Sequence, residues 1–214
     1  MPRVSSHYCV VRVWLPDRPG ALGQVASRIG AVRGDVVGIE IVERDGGQAI
    51  DELVVGLADE ALVELLVREV RAVDGVAVED VRTVAEPLLD PRLAALDAAV
   101  ALVAARSKEE LTGALLDRVS SDLGADWVAL VDGDADLRGA VGSPPSPAWL
   151  LAFLQAARSV EAGCCEPEEV AWAPLGDAAV VVGRTGRPIR LRERRQVAAL
   201  ARLAELRHAE LPDG

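Results

Sequence analysis

The stretch from Val11 to Glu43 leaves this chain few ways to fold. It lies in and after a β-branched and aromatic run, Tyr8 to Leu15, that favours extended backbone. Two prolines and a glycine in Pro16-Asp17-Arg18-Pro19-Gly20 then stop the strand. From Gly20 to Arg33, apolar residues recur at Leu22, Val25, Ala26 and Ile29, a helical spacing that lays one face on a core. Gly34 suits the end of that helix. Asp35 to Glu43 then sets Val37, Ile39 and Ile41 against Gly38, Glu40 and Glu43, the alternation of a half-buried strand. Strand, turn, helix and strand in this order call for a sheet with a helix on one face.

The turn carries the chemistry. Pro19 has no N–H to lose and a φ already near helical, so it suits the first helical position. Gly20 lacks a Cβ, which lets a ligand approach the backbone. The N–H groups of Gly20, Ala21 and Leu22 fall where a helix has no internal acceptors. With the positive end of the helix dipole they form a seat for a carboxylate. The same Pro-Gly pair also serves as a plain strand-to-helix turn.

The next elements follow the same rules. Asp45-Gly46-Gly47 is a hairpin signal, and Ala49 to Leu57 is the return strand. Asp59 reads as an N-cap for a helix whose apolar face includes Leu62, Leu65, Leu66 and Val70. Val76 to Val84 is a last strand after Asp74-Gly75. The order over residues 8–84 is βαββαβ, an α+β sandwich of ferredoxin-like type.

Val13-Trp14-Leu15-Pro16-Asp17-Arg18-Pro19-Gly20-Ala21-Leu22 resembles the start of an ACT domain, a small regulatory module that commonly binds amino acids. Gly34 to Glu40 resembles that family's second strand and Gly47 to Leu57 its third. The resemblance implies a ligand at a dimer interface, between the first strand-to-helix loop of one copy and the second strand of its neighbour. The ligand carboxylate would meet the N–H groups of Gly20, Ala21 and Leu22, and Asp17 would receive the α-ammonium. Val36, Val37 and Gly38 would line the side-chain pocket. Arg18 and Pro19 complete the loop, with Arg18 toward solvent. Asp17 serves equally well as a turn or capping carboxylate.

Ala85 to Pro91 carries two prolines and marks a linker, residues 85–92. A second unit spans residues 93–210. Its first helix, Leu93 to Ala105, is apolar around most of its girth and needs a large surface to pack on, such as a partner chain. Ser107 and Glu110 make a capping box for a helix to Leu123. Trp127 to Val131 and Leu137 to Val141 are strands about an aspartate-rich turn, and Ser146-Pro147 opens another helix. Val170 to Pro174, Ala178 to Gly183 and a last helix from Leu191 to Glu210 complete the order. This succession resembles a GAF domain, a sensory sandwich with a central antiparallel sheet and flanking helices. In related sensory proteins the first and last helices often pair between subunits.

Several functions are disfavoured. The net charge of −11 repels nucleic acid, and one Phe, one Tyr and four Trp leave little for base stacking. The basic run Arg184-Thr185-Gly186-Arg187-Pro188-Ile189-Arg190-Leu191-Arg192-Glu193-Arg194-Arg195 is read as a solvated helix start rather than a phosphate contact, since Gly186 and Pro188 interrupt it and Glu193 offsets its charge. No apolar run reaches a membrane span, and the first residues lack a signal-peptide core, so a cytoplasmic protein is expected. Cys9 is expected to pack in a strand, and Cys164-Cys165 lies in a loop. No Ser–His–Asp or Cys–His set, phosphate loop or metal-ligand spacing is evident, so neither enzyme nor cofactor nor metal is expected. The expectation is a regulatory or sensory homodimer that binds a small amino acid and an unidentified downstream protein. The alternative is a scaffold homodimer with both folds and no metabolite.

Overall fold

The structure is a computed structural model that describes residues 7–84, 91–133, 136–159 and 167–212. Cys164 and Cys165, and most of the linker, lie outside those residues. The chain is of mixed α+β class and divides into two compact units between Pro91 and Arg92. Among the described residues no helix is long and apolar enough to cross a membrane.

The first unit runs β1 (His7–Pro16), α1 (Ala21–Ala31), β2 (Asp35–Asp45), β3 (Gln48–Leu57), a 3-10 turn (Glu60–Leu62), α2 (Val63–Arg71) and β4 (Ala77–Val84). Its sheet has the order β2-β3-β1-β4, with every neighbouring pair antiparallel. Period-two alternation puts Val11, Val13 and Leu15 of β1 and Leu53, Val55 and Leu57 of β3 on one face. Val25 and Ile29 of α1 and Leu66 and Val70 of α2 close the core over them. Burial pushes the Cys9 thiol, in the same core, up to about 11, so it packs as an apolar side chain. Asp59 caps the 3-10 turn by accepting from the Ala61 N–H at 2.9 Å.

The opposite face of this sheet carries a charge ladder. Arg12, only 1 % exposed, donates from Nε and a terminal nitrogen to Glu52 Oε1 at 2.9 and 2.8 Å. Arg82 donates to the same oxygen at 3.0 Å. Burial raises the Glu52 pKa, but the Arg82 and Arg12 guanidiniums more than offset that and hold it below the ordinary carboxylate value.

Two local expectations change. In β2 the pairing slips between Val36 and Gly38 and again between Ile41 and Glu43. Each extra residue shifts the phase of the side chains. Val42, the extra residue of the second bulge, is buried, whereas Ile39 and Ile41, paired with Leu53 and Asp51 on the edge strand of the sheet, are nearly half exposed. At the end of α1 the left-handed residue is Arg33 (φ 60°), not Gly34. Gly34 N–H bonds Ile29 O at 3.0 Å and Arg33 N–H bonds Gly30 O at 2.9 Å, the paired bonds of a Schellman cap. Gly34 is needed for space: a Cβ there would meet Ile29 Cγ2 at 2.9 Å and Val55 Cγ1 at 3.1 Å. Arg33→Gly is accordingly expected to stabilise the unit by about 1 kcal/mol, read as a thermal midpoint a few degrees higher. An unchanged or lower midpoint would contradict the assigned cap.

The second unit runs α3 (Pro91–Ala104), α4 (Lys108–Leu123), β5 (Trp127–Val131), β6 (Leu137–Gly142), α5 (Pro147–Ser159), β7 (Val170–Leu175), β8 (Ala178–Gly183) and α6 (Leu191–Glu210). The sheet order is β6-β5-β8-β7, again antiparallel. Every residue of β8 is buried, because both faces of the sheet are covered. Leu102 of α3, Leu115 and Val119 of α4 and Val197 and Ala201 of α6 pack on one face. Leu150 and Leu154 of α5 pack on the other, against Ala129, Val131, Ala179 and Val181. Trp149 stacks on Phe153 (5.5 Å) and meets Trp127 edge-on (6.5 Å). Gly183 lies so close under the Trp127 ring that no Cβ would fit.

The capping box that opens α4 is split. Ser107 Oγ accepts the Glu110 N–H at 3.1 Å, but the Glu110 carboxylate takes the Arg106 N–H at 2.8 Å instead of that of Ser107. The basic run is a solvated helix start only in part: Arg192 and Arg195 of α6 are exposed, but Arg184 is not. Arg184 is 4 % exposed and forks onto Glu193, with nitrogen–oxygen distances of 2.6 and 2.8 Å. It also donates to the carbonyls of Leu123 (2.8 Å), Arg187 (2.9 Å) and Pro188. A single guanidinium thus ties the end of α4 to the segment that opens α6. On α3, Ala98 and Leu102 are buried, but Leu93, Leu96, Val100 and Val103 are each more than half exposed.

Candidate functional site

The β1–α1 turn is fixed at both ends. The Asp17 N–H bonds Gly47 O in the β2–β3 hairpin at 2.9 Å, and the Arg18 N–H bonds Pro16 O at 2.8 Å. Gly20 adopts φ 88°, a left-handed conformation that explains the glycine without a ligand. A Cβ there would meet nothing within 4 Å. Because Gly20 turns the chain, α1 starts at Ala21 and Pro19 does not occupy the first helical position. Asp17, Arg18, Pro19 and Gly20 are exposed, Ala21 is buried and Leu22 is half-buried on the core.

The expected seat of three N–H groups is reduced. The Ala21 N–H bonds Arg18 O at 3.3 Å, which removes it as a donor to a ligand. Gly20 and Leu22 keep their place at the amide end of α1. Arg18 lines a groove of 350 Å³ with Gln24, Ser27 and Arg28 of α1 and the Ala72–Asp74 turn. Neither Asp17 nor Asp51 lines that groove.

The residues expected to line one pocket wall do not share a face. Val36 pairs with Val55 and packs toward the core. Gly38 pairs with Val54, and a Cβ on it would meet Val54 Cγ2 at 3.3 Å, on the opposite face of the sheet. Val37 sits in the bulge between them. The bulge thus splits Val36 from Gly38, and the two cannot form one wall from the same chain.

One residue of this region was not singled out from the sequence. Asp51 lies on the helix-covered face of β3, between Ala49 and Leu53 and paired with Val13 of β1 and Ile41 of β2. It is 4 % exposed, and its Oδ1 is buried with no hydrogen-bond partner. Burial raises its pKa, Arg44 draws it down and Asp17 raises it again, for a net upward shift. The signal was a charge at an apolar-phase position of the strand, where the alternation calls for a core residue.

The second unit has a cleft of 330 Å³ between the first turns of α4 and the last turns of α6. Leu111, Leu115 and Leu130 line it. Arg138 on its rim is bridged to Asp132 (3.2 Å) and Asp177 (2.6 Å), so its charge is already balanced. Among the described residues no group of three or more His, Cys, Asp or Glu is placed to hold a metal ion.

No family model matches the chain, and no curated protein matches it. Among solved structures, the chain is similar to an unknown protein from Galdieria sulphuraria at 14 % identity and a TM-score of 0.34, over 94 % of this chain and 92 % of that one. A likeness of that order carries no weight for fold or function.

Proposed function

We propose that the chain is a non-catalytic regulatory protein whose first unit, of ferredoxin-like ACT type, binds a small amino acid. The observation that carries the reading is the β1–α1 turn. Left-handed Gly20 presents the amide end of α1, and the Asp17 N–H pins the turn to the β2–β3 hairpin. The βαββαβ order, with both helices on one face, supports the same reading. The ligand carboxylate meets the amide end of α1 at Gly20 and Leu22, and Asp17 faces its ammonium. The second unit, GAF-like, joins two copies or receives a second signal, and ligand at the subunit interface biases how the copies associate.

A thermal-unfolding scan against the twenty amino acids, one at a time, tests this. An amino acid at about 100 times its dissociation constant stabilises the native state by about 2.7 kcal/mol. One amino acid should do so, and Asp17→Ala should reduce the shift. If none does at millimolar concentration, the sensor reading fails.

The alternative, a scaffold homodimer without a metabolite, draws on α3. Its exposed Leu93, Leu96, Val100 and Val103 follow the 3-4-3 spacing of a coiled-coil seam. Val100→Asp should convert a dimer to a monomer in sedimentation, without loss of helix content, since the side chain is not in the core of its own unit. A dimer that survives the change would exclude α3 as the interface. Dimerisation with no amino acid bound would favour the scaffold.

A further inference from the structure

We infer that Asp51, more than exposed Asp17, holds the ligand ammonium in the first unit and that the site is built for an amino acid with a small aliphatic side chain. The inference rests on the amino-acid reading above and assigns it a residue and a ligand class that the turn alone does not give.

A buried carboxylate oxygen without a donor is a costly feature in a folded core, and one that a cation removes. Asp51 Oδ1 is such an atom, on a residue 4 % exposed. Strand alternation turns it toward the helix-covered face, among Ala49, Leu53 and Val13, and Ala21 and Val25 of α1 belong to the same cluster. The charge of Asp17 raises the Asp51 pKa, so the two carboxylates lie within electrostatic reach of one another, and Ala21 of the first turn of α1 packs in the same cluster as the strand neighbours of Asp51. Arg44, also sensed by Asp51, pairs with Ala49 on that face.

The neighbourhood has two poles. The helix end favours an anion and Asp51 favours a cation, the pattern of an α-amino acid zwitterion. The third feature is apolar. Ile41 lies directly across from Asp51 in the β2–β3 ladder, so the two side chains share a face. Ile41 and its neighbour Ile39 are nearly half exposed. They offer the hydrocarbon wall that Val36, Val37 and Gly38 do not form together. An aliphatic side chain fits such a wall, and a charged or long polar one does not.

The test uses the whole chain and three probes: an equimolar mixture of L-alanine, L-valine, L-leucine and L-isoleucine, the N-acetyl derivatives of the same four, and a mixture of the polar and charged amino acids. Thermal midpoints are read for the wild type, Asp51→Asn and Asp17→Asn. The aliphatic mixture should raise the wild-type midpoint, and the N-acetyl mixture, which lacks the ammonium, should not. Asp51→Asn should weaken the response by about tenfold or more in concentration, and exposed Asp17→Asn by less. Without probe, Asp51→Asn should melt no lower than the wild type, which shows that the lost response is not a folding defect. An equal response in Asp51→Asn overturns the role of Asp51 and leaves the amino-acid reading standing. A response to the polar mixture alone overturns the aliphatic assignment. No response to any amino acid removes both the reading and the inference.

Discussion

Arg184→Met should destabilise the second unit by about 3–5 kcal/mol, the range found when one member of a buried ion pair is deleted. The side chain lost is almost wholly buried and forms a two-pronged bridge to Glu193. It also satisfies the Leu123 carbonyl at the end of α4, one of the acceptors a helix leaves without an internal donor. Arg187 donates to the same carbonyl at 2.9 Å, so that group keeps one partner in the variant. Glu193 retains the Arg190 N–H at 2.8 Å but loses both hydrogen bonds from Arg184. The penalty therefore falls on Glu193, a partly buried carboxylate that loses two charge-assisted hydrogen bonds. Arg184→Lys should recover only part of the loss, since an ammonium cannot span Glu193 and the carbonyls together. Denaturant unfolding followed by circular dichroism measures both. A loss under about 1 kcal/mol for Arg184→Met would show that the fork is not formed in solution.

Glu52→Ala should have a similar effect in the first unit, about 3 kcal/mol, because it removes the carboxylate oxygen that accepts two hydrogen bonds from buried Arg12 and one from Arg82. Glu79 Oε2, at 3.6 Å from Arg12, is a longer contact and a partial substitute. Acid titration gives this prediction its sign. The folded-state pKa of Glu52 lies below its unfolded value, so the folded state binds fewer protons between the two. The stabilisation is complete above the ordinary glutamate range and is lost as pH falls through the lowered folded value. Glu52→Gln should therefore flatten the acid limb of the stability curve. Asp51, the preceding residue on the opposite face, works the other way. Its raised pKa means that stability decreases as pH rises from the ordinary aspartate value through the raised one. A steeper acid limb in Glu52→Gln would contradict the ladder geometry.

The sequence made the regular elements legible where local chemistry and packing agree. The β-branched and aromatic run Tyr8 to Leu15 marked a strand, and it falls within β1. Asp59, Ser107 and Ser146 each accept a backbone N–H at the start of the helical segment they precede. The misses share one cause: they depend on what stands opposite. Two bulges in β2 take Val37 and Val42 out of the ladder, and no periodicity within that strand reveals its partner's register. Arg184 reads as a solvent-facing charge until Glu193 and the end of α4 are placed around it. Arg33 takes the left-handed position because Gly34 is consumed by the close approach of Ile29 and Val55. At the candidate site the turn was legible from Pro-Gly chemistry. Asp51 was not, since a lone aspartate within a strand gains meaning only from the core around it.

The distribution of indoles gives the chain a built-in optical label. Trp14 is the tryptophan of the first unit, and its ring N–H donates to Glu79 Oε1 at 2.9 Å on the ladder face. Trp127, Trp149 and Trp172 all lie in the second unit, the first two in mutual contact and the third beneath the Arg158 guanidinium at 5.9 Å. Fluorescence of the intact chain therefore reports mostly on the second unit, with energy exchange between Trp127 and Trp149. The difference between wild-type and Trp14→Phe emission isolates the first. One cuvette can thus follow the melting of each unit separately, with no dye attached.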